Sequence, residues 1–312
     1  MSRGTWLVGR LLQIIPTLLL IGVVVFVLVH LLPGDIVTSM LGDHATKQAV
    51  ANLRRSLGLD RTLAEQFVLF VRNALRGSFG DSLAHGIPVA RLIAQRLPVT
   101  AMLTAMAVVI AVVLAVPLAF VAALRAERAP DIAIRVAFQV GLSSPIFYVG
   151  LVLLSVFAAW LRWFPVGGYG SGFLDHIYHL ILPAFALALS LSAILMRNLR
   201  AAILGVIRAE YVDFARAKGI AARLVLFRHV LRNALIATVT LLGLSIGSLL
   251  GGAVVTETVF AVPGVGRLMV DSIFARDYPV IEALTLILAV VVSITFLATD
   301  ILQMVLDPRI GR

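Results

Sequence analysis

Six long stretches of the chain contain no Asp, Glu, Lys or Arg. A helix needs about 20 apolar residues to cross the hydrocarbon core, and charged side chains are costly at its centre. Continuous apolar runs also exclude a membrane barrel, whose strands alternate polar and apolar positions. The pattern predicts an all-α, polytopic membrane protein with six transmembrane helices. The runs cover residues 11–34, 97–124, 136–161, 176–196, 233–256 and 283–299, the last extending to Leu306 if Asp300 is tolerated.

The composition agrees with this pattern. Of 312 residues, 61% are hydrophobic and 13% are charged, about half the charge of a soluble domain. A soluble enzyme, a disordered tail and a coiled coil are therefore excluded. The chain has no cysteine, which excludes disulfides, Fe–S clusters and Cys-ligated zinc. The first run is too long for a signal peptide and lacks a cleavage pattern, so we expect an uncleaved first helix.

The net charge is +10, and the placement of the basic residues along the chain predicts the orientation in the membrane. Fifteen of the 26 basic residues fall at the two termini and in the short segments around 125–135 and 197–232. Basic residues in short loops mark the cytoplasmic side and face anionic lipid. Both termini are predicted to be cytoplasmic, and the positive charge needs no nucleic acid partner.

The long outer segment, residues 35–96, contains one clear amphipathic stripe. Leu63, Phe67, Phe70 and Ala74 recur at helical spacing, which predicts a helix lying on the membrane or on neighbouring protein. Simple packing is the favoured interpretation.

The inner loop, residues 205–234, holds six of the eight basic residues that lie from Arg197 to Arg232. Gly219 stands where a helix would end in a left-handed turn, and Lys218 complements the negative end of that helix. The pattern predicts helix, glycine turn, helix. Two interpretations stay open: a patch that holds lipid head groups, and an amphipathic helical pair that fits a groove in another protein.

The outer loop, residues 257–280, contains a Pro263-Gly264 turn followed by Gly266. Pro263-Gly264 predicts a turn, Gly266 adds flexibility, and a short helix is expected from Leu268 to Arg276. The G-x-G pattern lacks the third glycine, the preceding strand and the following helix of a dinucleotide site, so that interpretation is rejected.

No enzyme active site is found in the sequence. Neither of the two lysines belongs to a P-loop pattern, and no metalloprotease or serine-elbow motif occurs. His176 and His179 have a spacing that can bind metal, but interfacial histidines without metal are the commoner case. Only Asp300 lies inside a predicted span, whereas ion-driven carriers bury several ionisable groups. The energy source is therefore expected in another subunit.

The fifth span carries a stripe of small residues at four-residue spacing, Gly243, Gly247 and Gly251. Small residues on one face allow close helix approach. The stripe predicts either tight packing inside one subunit, or a subunit interface or translocation path. Prolines inside or near four spans, at positions 16, 117, 145 and 183, can bend their helices.

A set of motifs then gives a specific resemblance. In chain order these are Leu32-Pro33-Gly34-Asp35, Leu57-Gly58-Leu59-Asp60, Asn73-Ala74-Leu75-Arg76-Gly77, Phe79-Gly80-Asp81-Ser82, Arg96-Leu97-Pro98-Val99-Thr100, Ala215-Arg216-Ala217-Lys218-Gly219, Arg228-His229-Val230-Leu231-Arg232-Asn233-Ala234, Pro263-Gly264-Val265-Gly266-Arg267-Leu268, Arg276-Asp277-Tyr278-Pro279 and Leu306-Asp307-Pro308-Arg309. With them the chain resembles the membrane permease subunits of bacterial ABC importers, in the dipeptide, oligopeptide and nickel branch.

The resemblance implies a type I permease fold in the bacterial inner membrane. It divides the chain into an N-terminal segment with the first span (1–34), a periplasmic segment (35–96) and a core permease domain (97–312). The inner loop corresponds to the family's EAA loop, with Asp213-Phe214-Ala215 on the triplet; His229 and Arg232 depart from its later hydrophobic and proline positions. The residues implied in ATPase coupling are Glu210, Tyr211, Asp213, Phe214, Ala215, Lys218, Gly219, Arg228 and Arg232.

The resemblance also implies partners and a substrate class. A second permease subunit, two ATP-binding cassette ATPases and an outer substrate-binding protein are expected, with ATP and Mg bound by the ATPases and no cofactor in this chain. The substrate is expected to be a di- or oligopeptide; a nickel chelate, glutathione, and a standalone secondary carrier or membrane scaffold are alternatives. Residues expected at a periplasmic gate or binding-protein contact are Phe260, Pro263, Gly264, Gly266, Arg267, Asp277 and Tyr278.

Overall fold

The computed structural model describes residues 3–31, 46–56 and 60–306. The motifs at 32–35, 57–59 and 307–309 lie outside the described residues. Within the described part the chain is helical, and no strand occurs there apart from one isolated bridge. The helices are α1 (Arg3–Leu31), α2 (Lys47–Ser56), α3 (Leu63–Leu75), α4 (Val89–Leu124), α5 (Ala129–Ser143), α6 (Ile146–Leu153) with the π-helical segment π1 (Leu154–Trp160), α7 (Phe173–Ile207), α8 (Glu210–Ala217), α9 (Ala222–Leu224) with π2 (Val225–Leu231), α10 (Arg232–Val259), α11 (Val265–Phe274) and α12 (Tyr278–Leu306).

Five helices, α1, α4, α7, α10 and α12, are long and apolar enough to cross a membrane. A sixth span exists if the bent pair of α5 and α6 is counted as one. Each of the six charge-free runs thus falls on one of these elements. The predicted all-α polytopic class is confirmed.

The third span differs from its prediction. The sequence predicts one helix over 136–161, whereas the structure starts α5 at Ala129 and bends by 105° before α6. Ser144 has an extended backbone, with ψ of 129°, because a proline disfavours the helical region for the residue before it. Pro145 itself supplies no N–H to continue the helix. The Ser144 hydroxyl and the Ser144 N–H both donate to the carbonyl of Val140, at 2.8 and 3.1 Å.

The amphipathic stripe of the outer segment forms α3, as predicted. Thr62 and Glu65 make a reciprocal capping box at its start. The rings of Phe67 and Phe70 lie 5.4 and 5.9 Å from that of Phe26 on α1. These contacts are the simple packing favoured by the sequence.

Two compact units make up the chain. One contains Val99–Arg267 and the part of α12 from Ile294 onward; the other contains the described residues of Gly4–Pro98 and Leu268–Ser293. The core of the first unit is built on α7, against which α5 and α10 pack. A column of small side chains on α4 belongs to the same buried cluster and shows almost no exposure; it consists of Ala107, Ala111, Ala115, Ala119 and Ala123. Alanines four residues apart allow close helix approach, as glycines do.

Candidate functional site

The inner loop contains a short helix that ends in a glycine turn. After α8, Gly219 has a φ of +74°. The N–H groups of Gly219 and Ile220 donate to the carbonyls of Arg216 and Ala215 at 2.9 and 3.3 Å. These two hydrogen bonds form a Schellman motif, which requires a left-handed residue and so favours glycine. The predicted helix and glycine turn are confirmed.

The second helix of the inner loop runs without a break into a membrane span. It begins at Ala222, continues through π2 and passes directly into α10 at Arg232. No glycine or proline interrupts the chain at this point. π-helical turns inside α-helices are frequent at functional sites. The loop helix and α10 are thus one continuous helical segment.

Four side chains anchor the inner loop to the core of its unit. Val212 and Ala215 on α8, and Val225 and Val230 on π2, are buried. The large apolar side chains between these anchors are exposed: Tyr211 by 45%, Phe214 by 63%, Leu224 by 49% and Phe227 by 51%. Clustered exposed apolar side chains mark interaction sites. This set of four is called the apolar ridge below.

Charged side chains surround the apolar ridge. Lys218 places its Nζ 4.6 Å from the centre of the Phe214 ring, and Arg216 lies 3.4 Å from the carboxylate of Asp213. The amide of Asn233 donates to the Tyr211 hydroxyl at 3.1 Å and so ties α8 to the start of α10. The remaining predicted charged residues also lie on the surface, namely Glu210, Arg228 and Arg232. An apolar centre with a charged rim is the usual composition of a protein interface.

An ion-pair cluster lies on the predicted cytoplasmic side and was not found from the sequence. Arg200 on α7 donates from Nε and Nη2 to the two oxygens of Asp131, at 2.7 and 2.6 Å. Asp131 is fully buried and also accepts the N–H of Glu127 at 2.8 Å. Arg135 approaches the same carboxylate at 3.4 Å. A bidentate guanidinium–carboxylate pair fixes geometry on both sides, so the start of α5 is held to α7.

The glycine stripe of α10 separates into two environments. A Cβ at Gly243 would overlap the side chain of Thr299 on α12, whereas at Gly251 it would meet nothing within 4 Å. Gly243 is buried, Gly251 is exposed, and Gly247 is half-buried. Close packing within the subunit thus accounts for Gly243. The exposed face at Gly251 leaves room for a subunit interface or a translocation path.

A buried carboxylate organises the start of α11. Glu257 accepts hydrogen bonds from the hydroxyl of Thr100 at 2.5 Å and from the N–H of Arg267 at 2.9 Å. The Thr100 oxygen in turn accepts the N–H of Val265 at 2.9 Å. The first N–H groups of a helix have no acceptor within it, and a negative charge is favourable there. Glu257 and Thr100 therefore act together as a distant cap for α11.

The packing around this cap leaves no room for a side chain at either glycine of the G-x-G pattern, Gly264 or Gly266. A Cβ at Gly264 would overlap the Glu257 carboxylate, and a Cβ at Gly266 would lie 2.6 Å from the Cα of Val254. Lack of space therefore gives both positions a reason to be glycine that the sequence interpretation did not include. The signal that could have identified Glu257 is its place as the first charge after a span, where acidic residues are costly unless they are satisfied.

A second buried carboxylate joins two of the sequence motifs. Asp277, immediately before α12, accepts the hydroxyl of Ser82 at 2.5 Å and the N–H groups of Leu83 and Ala84 at 3.1 and 3.2 Å. Ser82 and Asp277 are both buried. Three donors on one carboxylate hold the turn at 82–84 beside residue 277. This arrangement is called the Asp277 clamp below.

The predicted gate residues lie mostly inside the chain. Phe260, Gly264, Gly266, Asp277 and Tyr278 are buried, and Pro263 and Arg267 are half-buried. The carbonyl of Phe260 accepts the N–H of Gly168 at 3.2 Å, and its ring fills space that a side chain at Gly150 would need. The expected contact with a binding protein stays a prediction. On α11 the large exposed apolar side chains are Ile273 and Phe274.

The histidine pair is engaged in local contacts. The Nδ1 of His176 lies 2.6 Å from the carbonyl oxygen of Tyr169, and the two rings stack at 3.8 Å. The Nδ1 of His179 lies 2.9 Å from the carbonyl oxygen of Asp175. No cluster of three metal-binding side chains occurs among the described residues.

Two family profiles together match nearly the whole chain. Residues 4–104 match the N-terminal part of a binding-protein-dependent transport system membrane component. Residues 115–312 match the binding-protein-dependent transport system inner membrane component.

Curated relatives align over almost their full length. The Probable peptide ABC transporter permease protein y4tP of Sinorhizobium fredii is 38% identical over 310 residues, covering 98% of this chain and 99% of the relative. The glutathione transport system permease protein GsiC of Escherichia coli (strain K12) is 39% identical over 306 residues, covering 98% of both chains. A crystal structure of an amino acid ABC transporter with histidines matches with a TM-score of 0.51 and 17% identity, over 70% of this chain and 94% of the other. At that identity the structural match shows a shared fold alone.

Proposed function

The chain belongs to the family of binding-protein-dependent transport system inner membrane components, and on this premise we propose that it forms half of the translocation path of an ATP-driven importer for peptides. As a family member it is a multi-pass inner-membrane permease component of an ABC importer. The proposed complex pairs it with a second, similar permease. Two ATPases, which bind ATP and Mg, and a substrate-binding protein complete the complex, while this chain has no ATPase site and holds no cofactor.

The apolar ridge is the observation that carries the proposed coupling to an ATPase. Its four large side chains are 45–63% exposed, although burying each would be favourable by about 1.5–3 kcal/mol. The charged rim includes Glu210 and Asp213, which would repel anionic lipid head groups. This favours a protein partner over a lipid patch. Because π2 continues directly into α10, a movement of the loop helix caused by the ATPase would also move this membrane span.

The test reverses the charges on α8 in the assembled transporter. Glu210→Arg combined with Asp213→Arg is expected to abolish substrate-stimulated ATP hydrolysis and uptake in proteoliposomes, because it reverses both acidic charges on the rim that is proposed to face the ATPase. Glu210→Gln with Asp213→Asn is the matched control and should retain part of the activity. Full uptake by the reversed variant would refute coupling through α8, provided that the complex assembles in equal amount.

The substrate class follows from the relatives. One is named for peptide transport and another for glutathione transport, at 38 and 39% identity. A peptide is the proposed substrate, and glutathione, itself a small peptide-like molecule, is the second candidate. The nickel chelate alternative receives no support from His176 and His179, because one ring nitrogen of each contacts a backbone carbonyl.

Competition uptake separates the two substrate candidates. Proteoliposomes with the whole complex and its binding protein would be loaded with ATP and given a labelled tripeptide. Excess unlabelled tripeptide should suppress uptake, whereas glutathione should not. Suppression by glutathione alone would replace the peptide proposal with the second candidate.

The outer loop is proposed to act at the periplasmic gate or the contact with the binding protein. Since Phe260, Gly264, Gly266, Asp277 and Tyr278 are buried in the chain, their proposed role is to fix its shape. The direct contacts are assigned to Ile273 and Phe274, which are 54% and 84% exposed. A photo-crosslinker at Phe274 should capture the binding protein in the assembled transporter. A crosslinker at Phe173, also strongly exposed, serves as the control.

A further inference from the structure

A groove between α5 and α7 combines basic and apolar walls. It has a volume of about 410 Å³ and is lined by Val136 and Gln139 on α5, by Met196 on α7, and by Arg135 and Arg197. None of the residues that line this groove belongs to the inner loop or the outer loop. The combination of basic and apolar side chains in the groove is therefore not explained by the roles proposed for those loops.

The basic wall has an excess of positive charge. Arg200 already binds Asp131 through two hydrogen bonds, and Arg135 lies 3.4 Å from the same carboxylate with its side chain 43% exposed. Arg197 is exposed, and within the described part of the chain it forms no ion pair. Asp131 and Glu127 thus pair with Arg135 and Arg200, while Arg197 adds a further positive charge to the lining of the groove. A bound anion would balance this additional charge.

The apolar wall continues onto the outside of α5. Ile132, Val136 and Val140 follow one another at four-residue spacing and are 47%, 57% and 61% exposed. Residues four apart share one face of a helix, so the groove opens onto an apolar stripe. A peptide path would need polar groups for the peptide backbone. An anion that carries a hydrocarbon chain fits both walls.

We propose that the groove binds an anionic phospholipid, with its phosphate between Arg135 and Arg197 and an acyl chain along Ile132 and Val136. Arginines near the ends of spans extend their guanidinium groups towards head groups while their stems stay in the apolar region. The Gln139 amide can donate to the glycerol ester region. The site does not depend on the proposed transport function.

The experiment measures lipid retention by the purified complex. The complex would be equilibrated with micelles containing equal phosphatidylglycerol and phosphatidylcholine, and bound lipid would be counted by native mass spectrometry. The unmodified protein should retain phosphatidylglycerol selectively. Arg197→Gln should reduce that selectivity about fivefold, because one arginine near an anionic lipid is worth ~1 kcal/mol.

Three further variants or additions test the assignment. Arg128→Gln, an exposed arginine beside α5 that does not line the groove, should leave the selectivity unchanged. Val136→Trp, which fills the apolar wall from an exposed position, should lower retention of both lipids. Added inorganic phosphate should not displace the lipid, since the acyl chain also contributes. Equal retention of both lipids by the unmodified protein, an equal loss in Arg128→Gln, or displacement by a transported peptide would each overturn the proposal.

Discussion

The inner loop and the outer loop are both rich in family motifs, but the structure uses those motifs in opposite ways. In the inner loop the side chains of the apolar ridge and its charged rim are exposed, and the buried anchors are small aliphatic side chains. In the outer loop the carboxylates of Glu257 and Asp277 are buried and bound by donors of the same chain. A motif can therefore mark either a partner surface or an internal constraint. Substitutions should separate the two roles. Those at the buried carboxylates of the outer loop are expected to change stability, and those on the apolar ridge of the inner loop are expected to change coupling alone.

The largest effect on stability is expected at the Asp277 clamp. Asp277→Ala should lower the free energy of unfolding by about 2–4 kcal/mol, because the buried Ser82 hydroxyl and two partly buried N–H groups lose their acceptor and an unsatisfied buried group costs about 1–3 kcal/mol. The thermal unfolding midpoint of the purified protein in detergent measures the change. Asp81→Ala removes a nearby exposed carboxylate and is the control. Equal midpoints for the two variants would show that the clamp is not a stability element.

A smaller loss of stability is expected where a glycine lacks space. Gly264→Ala should cost about 1–3 kcal/mol, since the new methyl group overlaps the Glu257 carboxylate. Gly251→Ala, with open space around it, should instead be neutral or stabilising by up to about 1 kcal/mol, because alanine favours a helix. The thermal unfolding midpoint of Gly264→Ala should fall, whereas that of Gly251→Ala should stay the same or rise. If both fall equally, close contact at Gly264 is not the reason for its glycine.

The glycine turn of the inner loop should show an intermediate effect. Gly219→Ala should cost about 1–2 kcal/mol, because a side chain disfavours the left-handed φ of +74°. Gly219→Asn should lose less, since asparagine tolerates this conformation. Thermal unfolding gives the cost, and uptake by the assembled transporter shows whether the turn also orients α8. An alanine variant as stable as the parent would contradict the strained-turn argument.

The smallest stability effect, with a large effect on transport, is expected on the apolar ridge. Phe214→Ala should change the free energy of unfolding by less than about 0.5 kcal/mol, because the side chain is 63% exposed. Uptake should nevertheless fall at least about tenfold if Phe214 anchors the interface. Phe173→Ala, at a position 71% exposed, controls for loss of an exposed ring. Unchanged uptake with Phe214→Ala would place the interface elsewhere.

The sequence predicted what depends on local pattern. Charge-free runs located the spans, and Gly219 with Lys218 located the helix and turn of the inner loop, because both signals come from neighbouring residues. The sequence marked Pro145 among four prolines that can bend a helix but did not show which of them does. Pro16 and Pro183 lie inside continuous helices, so proline content alone does not separate these cases.

Pairings over long sequence distance were not predictable. Thr100 and Glu257 are separated by 157 positions, and Ser82 and Asp277 by 195. Neither local periodicity nor propensity contains information about such pairs. For the same reason Asp131, Arg200 and Glu257 were absent from the predicted sites, and the reason for Gly264 became visible only beside the carboxylate that it accommodates.

The Asp277 clamp also sets an order of events during synthesis. Ser82 leaves the ribosome 195 residues before its acceptor, which corresponds to about 10–40 s at ~5–20 residues per second. Throughout that interval the Ser82 hydroxyl and the N–H groups of Leu83 and Ala84 have no carboxylate of residue 277 to bind. The contact that fixes the turn at 82–84 can form only when Asp277, immediately before α12, is present. The turn at 82–84 therefore reaches its final hydrogen bonding only after Asp277 has been synthesised.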